Sequence, residues 1–288
     1  MGLAKTVWLI LVAIGSVWFF RRFSVREVLS EQSWTTVVPA TAAIVVSQLG
    51  IFLCQEAAIA ASQQAIPRRT NLRILATTNL SKYLPLSGAN IAVNVVMLKR
   101  AGISNINTTR AVLLLTYWMV VGSLSLGSIA LLWSLGLGGW PSALIGIGTW
   151  VMIHVLRLER LVGISPAGPL PLIMGSQLLI WFCNGYAFIV LLPGNFATAG
   201  DAIRAGAAYV FSFGVGLLAV FAPSGVGVRE ATAGFLLRDD VGQEIVIATI
   251  VLGRVIGFIA DLIFGGGALV FDSLGRNSQI PTGADDRS

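Results

Sequence analysis

The chain has 288 residues, of which 56% are hydrophobic and 11% charged, with a formal net charge of +6. A soluble domain is typically about 45–50% apolar and about 25% charged, so this composition excludes a soluble enzyme, a disordered chain and a disulfide scaffold. The mean hydropathy of +0.83, with 32 Gly and 8 Trp, predicts an all-α, polytopic helical membrane protein. Two cysteines and one histidine cannot build a Cys/His metal cluster, and no metal or other cofactor is expected. Cys54 and Cys183 lie in apolar stretches and read as small buried side chains. His154 reads as an interfacial histidine near Arg157. With no soluble surface to carry it, the positive charge points to membrane anchoring and anionic lipid, not to nucleic acid.

Leu3–Phe20 is the first predicted span. Arg21 and Arg22 stand where a signal-peptide cleavage site would be, so it reads as a retained anchor. Trp34 to Ala61 is the second span and carries Gln48, Gln55 and Glu56. A basic stretch follows, with Arg68, Arg69 and Arg73. Leu72–Leu84 is mildly apolar but holds Asn79, Ser81 and Lys82, and it breaks at Pro85-Leu86-Ser87-Gly88. Ile91–Leu98 is a short helix ending at Lys99-Arg100. Neither half is long enough to cross alone, which suggests a re-entrant or interfacial element.

Further spans are predicted at Ala111–Leu137, Trp140–Leu156, Pro169–Leu192 and Ala205–Ala222. The last of these breaks at Pro223-Ser224-Gly225, and Val226–Leu237 follows as a short amphipathic helix with Arg229 and Glu230. Ile245–Phe271 closes the membrane domain and carries Arg254 and Asp261. The expected organisation is one membrane domain over 1–271, with about seven spanning helices and two broken elements, and a disordered polar tail over 272–288. If both broken elements return to the side they entered from, one face gathers Arg68, Arg69, Arg73, Lys99, Arg100, Arg110, Arg157, Arg160 and Arg238. The other holds Arg21, Arg22, Arg26 and Arg204. That asymmetry places the N-terminus inside; the basic pair straight after the first span opposes it.

The two breaks share a pattern: an apolar stretch reaches Pro, a Ser-Gly follows, and a short helix ends in basic residues. Proline removes a backbone donor and glycine permits unusual dihedrals. Irregular backbone at membrane depth is tolerated only where protein or a wet cavity surrounds it, and paired interrupted segments point to a transporter-like site. Two ordinary proline kinks are the simpler alternative. The short helices would present N–H groups and a positive dipole end to an anion. Ionisable groups in membrane segments are costly and usually face the bundle interior. The candidates are Lys82, Arg229 and Arg254 as cations, with Glu56, Glu230 and Asp261 as charge partners. Ser87, Gly88, Ser224 and Gly225 would supply the backbone contacts. Arg254 and Asp261 are seven residues apart, on one helix face about 10 Å apart along the axis, so each needs a different partner. Gln48 and Gln55 repeat that spacing, as do Gln177 and Asn184, and read mainly as interhelical hydrogen-bonding amides.

Three stretches resemble the flippase-like membrane domain of the lysylphosphatidylglycerol synthase family. They are Lys82-Tyr83-Leu84-Pro85 through Gly88 to Ser104, Pro223-Ser224-Gly225-Val226-Gly227-Val228-Arg229-Glu230-Ala231, and Arg254-Val255-Ile256 through Asp261 to Gly266. They are spread from residue 82 to residue 266 in the family's order. Two departures stand out: Leu86 and Ser87 separate Pro85 from Gly88, and Ser224 replaces the first glycine of the second break. Seventeen residues follow Phe271, with no soluble transferase domain among them, so lysyl transfer is not expected of this chain.

The resemblance implies a flippase-like transporter in the cell membrane. It would bind or translocate an anionic lipid, a phospholipid or a polyprenyl-phosphate-linked glycan, in cell-envelope biogenesis. Membrane lipids, and membrane proteins of envelope synthesis, would be its partners. Two alternatives stay open. One is an integral-membrane transferase acting on a lipid-linked sugar, for which Asp201, Asp239 and Asp240 are weak carboxylate candidates. The other is a non-catalytic scaffold whose polar residues join helices.

Overall fold

The computed structural model of the protein describes residues 32–83, 88–158, 169–193, 196–219, 222 and 225–277. Among these residues every regular element is helical. The helices are α1 (Trp34–Ala61), α2 (Arg68–Ser81), α3 (Ala89–Arg100), α4 (Asn105–Leu132), α5 (Gly139–Val155), α6 (Leu170–Leu191), α7 (Ala199–Leu218), α8 (Val228–Leu236) and α9 (Gln243–Asn277). A short π-helical turn, Trp133–Leu137, ends α4, where Gly136 takes a φ of 89°. Five helices, α1, α4 with its π turn, α6, α7 and α9, are long and apolar enough to cross a membrane. The expected span over Leu3–Phe20 lies outside the described residues, and α5 has 17 residues. The last helix continues to Asn277, so residues 272–277 of the expected tail are helical; 278–288 lie outside the described residues.

Small residues let the long helices approach closely, the usual way for helices to associate without a hydrophobic gain over lipid. A Cβ at Gly50 of α1 would come within 2.9 Å of the Ser176 carbonyl on α6. One at Gly127 of α4 would fall 2.3 Å from the Phe211 backbone on α7. Amides add a second kind of joint. Gln48 and Gln55 on α1 meet Asn79 and Asn71 on α2, with Asn79 Nδ2 donating to Gln48 Oε1 (2.7 Å) and Gln55 Nε2 to Asn71 Oδ1 (2.7 Å). The heptad amides of α1 therefore act as interhelical bonds, and their pairing order makes α2 antiparallel to α1. Gln177 joins α6 to α5, accepting from Trp150 Nε1 (3.0 Å) and lying 3.0 Å from His154 Nε2. Asn184 bonds its own helix, at the Ile180 carbonyl. His154, expected at an interface, is buried in this α5–α6 joint.

Two helical hairpins enter this bundle from opposite ends. The first is α2–α3, whose helices pack against each other. Its open end connects by short turns to the end of α1 and the start of α4, and Leu98, Ile103, Ala57, Ala61 and Ala111 share one buried cluster there. With 14 and 12 residues, its arms rise only about 21 and 18 Å, short of a bilayer's hydrocarbon core of about 30 Å. The second is α7–α8. The predicted span at Ala205–Ala222 corresponds to Ala199–Leu218, which is long and apolar enough to cross a membrane. The sequence reading sets Arg204 and Arg238 on opposite faces, and the structure corrects that placement. Arg204, in the first turns of α7, donates to Asp240 Oδ1 (2.9 Å) and to the Leu236 carbonyl (3.1 Å), and reaches Ser134 at the end of α4. The chain therefore turns after Leu218 and α8 runs back along α7. Gly214 lies against Ser123 and Leu124 of α4, well short of that helix's start. Helix α9 leaves this second end, where Gly234 contacts Gln243, and reaches the first hairpin, where Gly265 faces Ala76 and Leu80. Both hairpin tips meet it midway.

Candidate functional site

At the first tip one carboxylate collects three donors. Asp261 on α9 is 1% exposed. Its Oδ2 takes the Lys82 ammonium at 2.7 Å and the Tyr83 hydroxyl at 2.6 Å, and its Oδ1 accepts from Gln48 Nε2 at 2.8 Å. Asn79 fixes Gln48 by donating to its oxygen, so the amide can only offer its NH2 to Asp261. The Tyr83 ring stands edge-on to Phe258 of α9 with centroids 4.8 Å apart. Lys82 caps the C-terminus of α2, which is why its charge sits at the hairpin tip. Gly88 opens α3 with a φ of 72°, a left-handed conformation that glycine adopts without penalty.

At the second tip the signs are rearranged. Glu230, 4% exposed, sits in the first turn of α8. Its Oε2 accepts from the Gly227 N–H at 2.8 Å and its Oε1 faces Arg254 Nη2 of α9 at 2.9 Å. Arg229 is 9% exposed. It donates to the Tyr209 hydroxyl at 2.9 Å, and its guanidinium carbon lies 4.2 Å from the Phe213 ring centre and 5.3 Å from that of Tyr209. Tyr209 in turn stacks on Phe188 at 4.8 Å. The aliphatic part of Arg229 lies over Gly216, where a Cβ would meet its Cγ at 2.5 Å, and a Cβ at Gly225 would lie 2.8 Å from Gly216 Cα. Both Gly225 and Gly227 have positive φ; these two glycines make the sharp return into α8 possible.

The two tips form one polar unit on α9, where Asp261 receives the first and Arg254, seven residues earlier, faces the second. Of the residues proposed from sequence, Lys82, Arg229, Glu230, Arg254 and Asp261 thus come together, with Gly88 and Gly225 shaping the turns. The heptad pair on α9 takes separate partners, as its spacing requires. Ser87 and Ser224 lie outside the described residues, as do Pro85 and Pro223. Glu56 does not join the unit. Asn71 donates to it and Arg68 lies 4.0 Å away, because its place near the end of α1 puts it at the mouth of the first hairpin.

Sequence reasoning missed Tyr83, Tyr209, Phe213 and Asn79. The chain has only 4 Tyr, and two of them fall here; a hydroxyl inside an apolar run was the available signal. The weak catalytic candidates have other roles. Asp201 caps α7 by accepting from the Thr198 N–H at 2.9 Å, Asp240 pairs with Arg204 at 2.9 Å, and Asp239 lies 3.6 Å from Arg238 on the surface. No protein-family model matches the chain, and no curated protein matches its sequence.

Proposed function

We propose that the protein is a flippase-like transporter of the cell membrane that binds an anionic lipid headgroup where the two hairpin tips meet on α9. The observation that carries this reading is Arg229. It is a buried guanidinium held by two residues, Tyr209 through its hydroxyl and ring and Phe213 through its ring, with no carboxylate against it among the described residues and its Nε without a hydrogen-bond partner. Uncompensated buried charge is expensive, so its retention is explained by a ligand that brings the opposite charge. Two hairpins entering from opposite ends and meeting midway agree with paired interrupted segments around a transport site. The resemblance to the lysylphosphatidylglycerol synthase membrane domain supports a lipid as the ligand and envelope biogenesis as the setting. The carboxylates named for the transferase alternative serve here as a helix cap, Asp201, and in ion pairs, Asp239 and Asp240.

The test is a scrambling assay. The full chain is reconstituted in phosphatidylcholine vesicles with a trace of fluorescent phosphatidylglycerol, and dithionite bleaching reads the fraction that changes leaflet. Wild type should move the anionic lipid, and Arg229→Gln, inserted at equal density, should lose most of that rate. Movement undiminished in Arg229→Gln would overturn the reading.

A further inference from the structure

We infer that the site is matched to a singly charged phosphodiester headgroup; this rests on the anionic-lipid reading and narrows it. The first argument is a charge balance. Lys82, Arg229 and Arg254 bring three positive charges to the joined tips, and Glu230 and Asp261 bring two negative ones, leaving an excess of one. A phosphodiester carries one negative charge. A phosphomonoester carries about −1.5 to −2 near neutral pH, and a pyrophosphate link carries a comparable surplus.

The second argument is hydrogen-bond direction. Every carboxylate oxygen in the unit is already engaged: Asp261 Oδ1 by Gln48, Oδ2 by Lys82 and Tyr83, Glu230 Oε1 by Arg254 and Oε2 by Gly227. Both carboxylate charges already face a cation, Asp261 that of Lys82 and Glu230 that of Arg254, so neither is left to balance a cationic headgroup. The unmet atoms are donors instead, Arg229 Nε and Arg254 Nε, both buried. The site therefore asks for oxygens and one negative charge, as the two non-bridging oxygens of a phosphodiester supply. A zwitterionic headgroup would bring its cation to a place whose two carboxylates are already paired with Lys82 and Arg254.

The third argument selects a lipid over a soluble diester. Val255, Phe258, Ile259 and Leu262, beside Arg254 and Asp261 on α9, are exposed apolar side chains, a surface along which acyl chains can lie.

The experiment places the purified full chain in phosphatidylcholine nanodiscs at about pH 8, doped equally with phosphatidylglycerol and phosphatidic acid, and counts retained lipid by native mass spectrometry. Phosphatidylglycerol should exceed phosphatidic acid by about tenfold, on the scale of one unmatched charge at short range. Glu230→Gln, which raises the site charge by one, should move the ratio toward phosphatidic acid. Asp261→Asn makes the same change at the other tip if Glu230→Gln does not fold. Phosphatidic acid retained as well as phosphatidylglycerol by wild type, or a ratio unmoved in a folded variant, overturns the charge match and leaves the anionic-lipid reading standing. Retention of neither anionic lipid overturns that reading itself. Displacement of bound lipid by an equal concentration of soluble glycerophosphoglycerol overturns the lipid and keeps the diester.

Discussion

The two hairpin tips dock on the same helix, yet they treat charge in opposite ways. At the first, Asp261 is the hub. Its partners are all donors, one of them cationic, and the set is closed. At the second, Arg254 and Glu230 satisfy each other's charge, and Arg229 beside them is held by Tyr209 and Phe213 with no carboxylate partner among the described residues. A closed polar set rigidifies a junction; an open one stores an unmet demand. The first tip thus reads as the fixed latch and the second as the place where a ligand completes the balance.

The sharpest break of this contrast is Asp261→Ala. It removes the carboxylate that Lys82, Tyr83 and Gln48 share. Removing one partner of a buried ion pair costs about 3–5 kcal/mol, and the partly exposed Lys82 places the expected loss at the lower end. Protein level in membranes and melting temperature in detergent should both fall. The double variant Lys82→Met with Asp261→Leu should recover much of the loss, since it removes the ions as a pair. A well-folded Asp261→Ala at wild-type level would show that the latch is not structural.

Glycine substitutions sharpen the same contrast at smaller cost. Gly216→Ala forces a methyl against the Arg229 stem at 2.5 Å. Overpacking of this kind costs about 1–3 kcal/mol, and here it also displaces the guanidinium. Gly257→Ala, beside the first tip, meets only the Tyr83 hydroxyl at an ordinary 3.7 Å. Melting temperature and phosphatidylglycerol retention should both drop in Gly216→Ala and stay near wild type in Gly257→Ala. Equal behaviour of the two would remove the distinction between a tightly crossed tip and a loosely crossed one.

Arg229→Gln should destabilise less than Asp261→Ala. It forfeits one hydrogen bond to Tyr209 and contacts with two rings, worth about 1–2 kcal/mol together, and strands no carboxylate. Loss of lipid movement with a small change in melting temperature is the expected signature. A collapse in protein level as deep as that of Asp261→Ala would place Arg229 in the scaffold.

Part of this contrast was legible in the sequence. The seven-residue spacing of Arg254 and Asp261 fixed a shared face and separate partners, and the Pro/Gly breaks marked where the chain stops being helical. The return of α8 was not legible. Ala205–Ala222 is apolar, and hydropathy cannot tell whether the segment after it continues onward or folds back along it. What decides it is the bonding of Arg204 to Leu236 and Asp240, a long-range contact with no local signal. The role of Tyr209 was hidden similarly, because a tyrosine within an apolar run counts as apolar until its hydroxyl has a partner.

The smallest expected perturbation tests the geometry common to both tips. If α2–α3 and α7–α8 are both hairpins, each begins and ends at one end of the bundle, and the two ends are opposite. Ala65 and Asn105 flank the first hairpin; Ala197 and Asp239 flank the second, and all four are exposed. Single cysteines there, in a background with Cys54 and Cys183 replaced by Ala, should leave melting temperature within the roughly 0.5 kcal/mol range of ordinary surface changes. A membrane-impermeant thiol reagent applied to sealed, sided vesicles should label Ala65→Cys and Asn105→Cys from one side, and Ala197→Cys and Asp239→Cys from the other. Labelling of Ala197→Cys and Asp239→Cys from different sides would turn α7 into a full crossing, and with it the opposed arrangement of the tips would fail. Labelling of Ala65→Cys and Asn105→Cys from different sides would do the same at the first tip. The Arg204–Asp240 bond makes the first failure the harder to reconcile, since it requires both ends of the second hairpin to lie together.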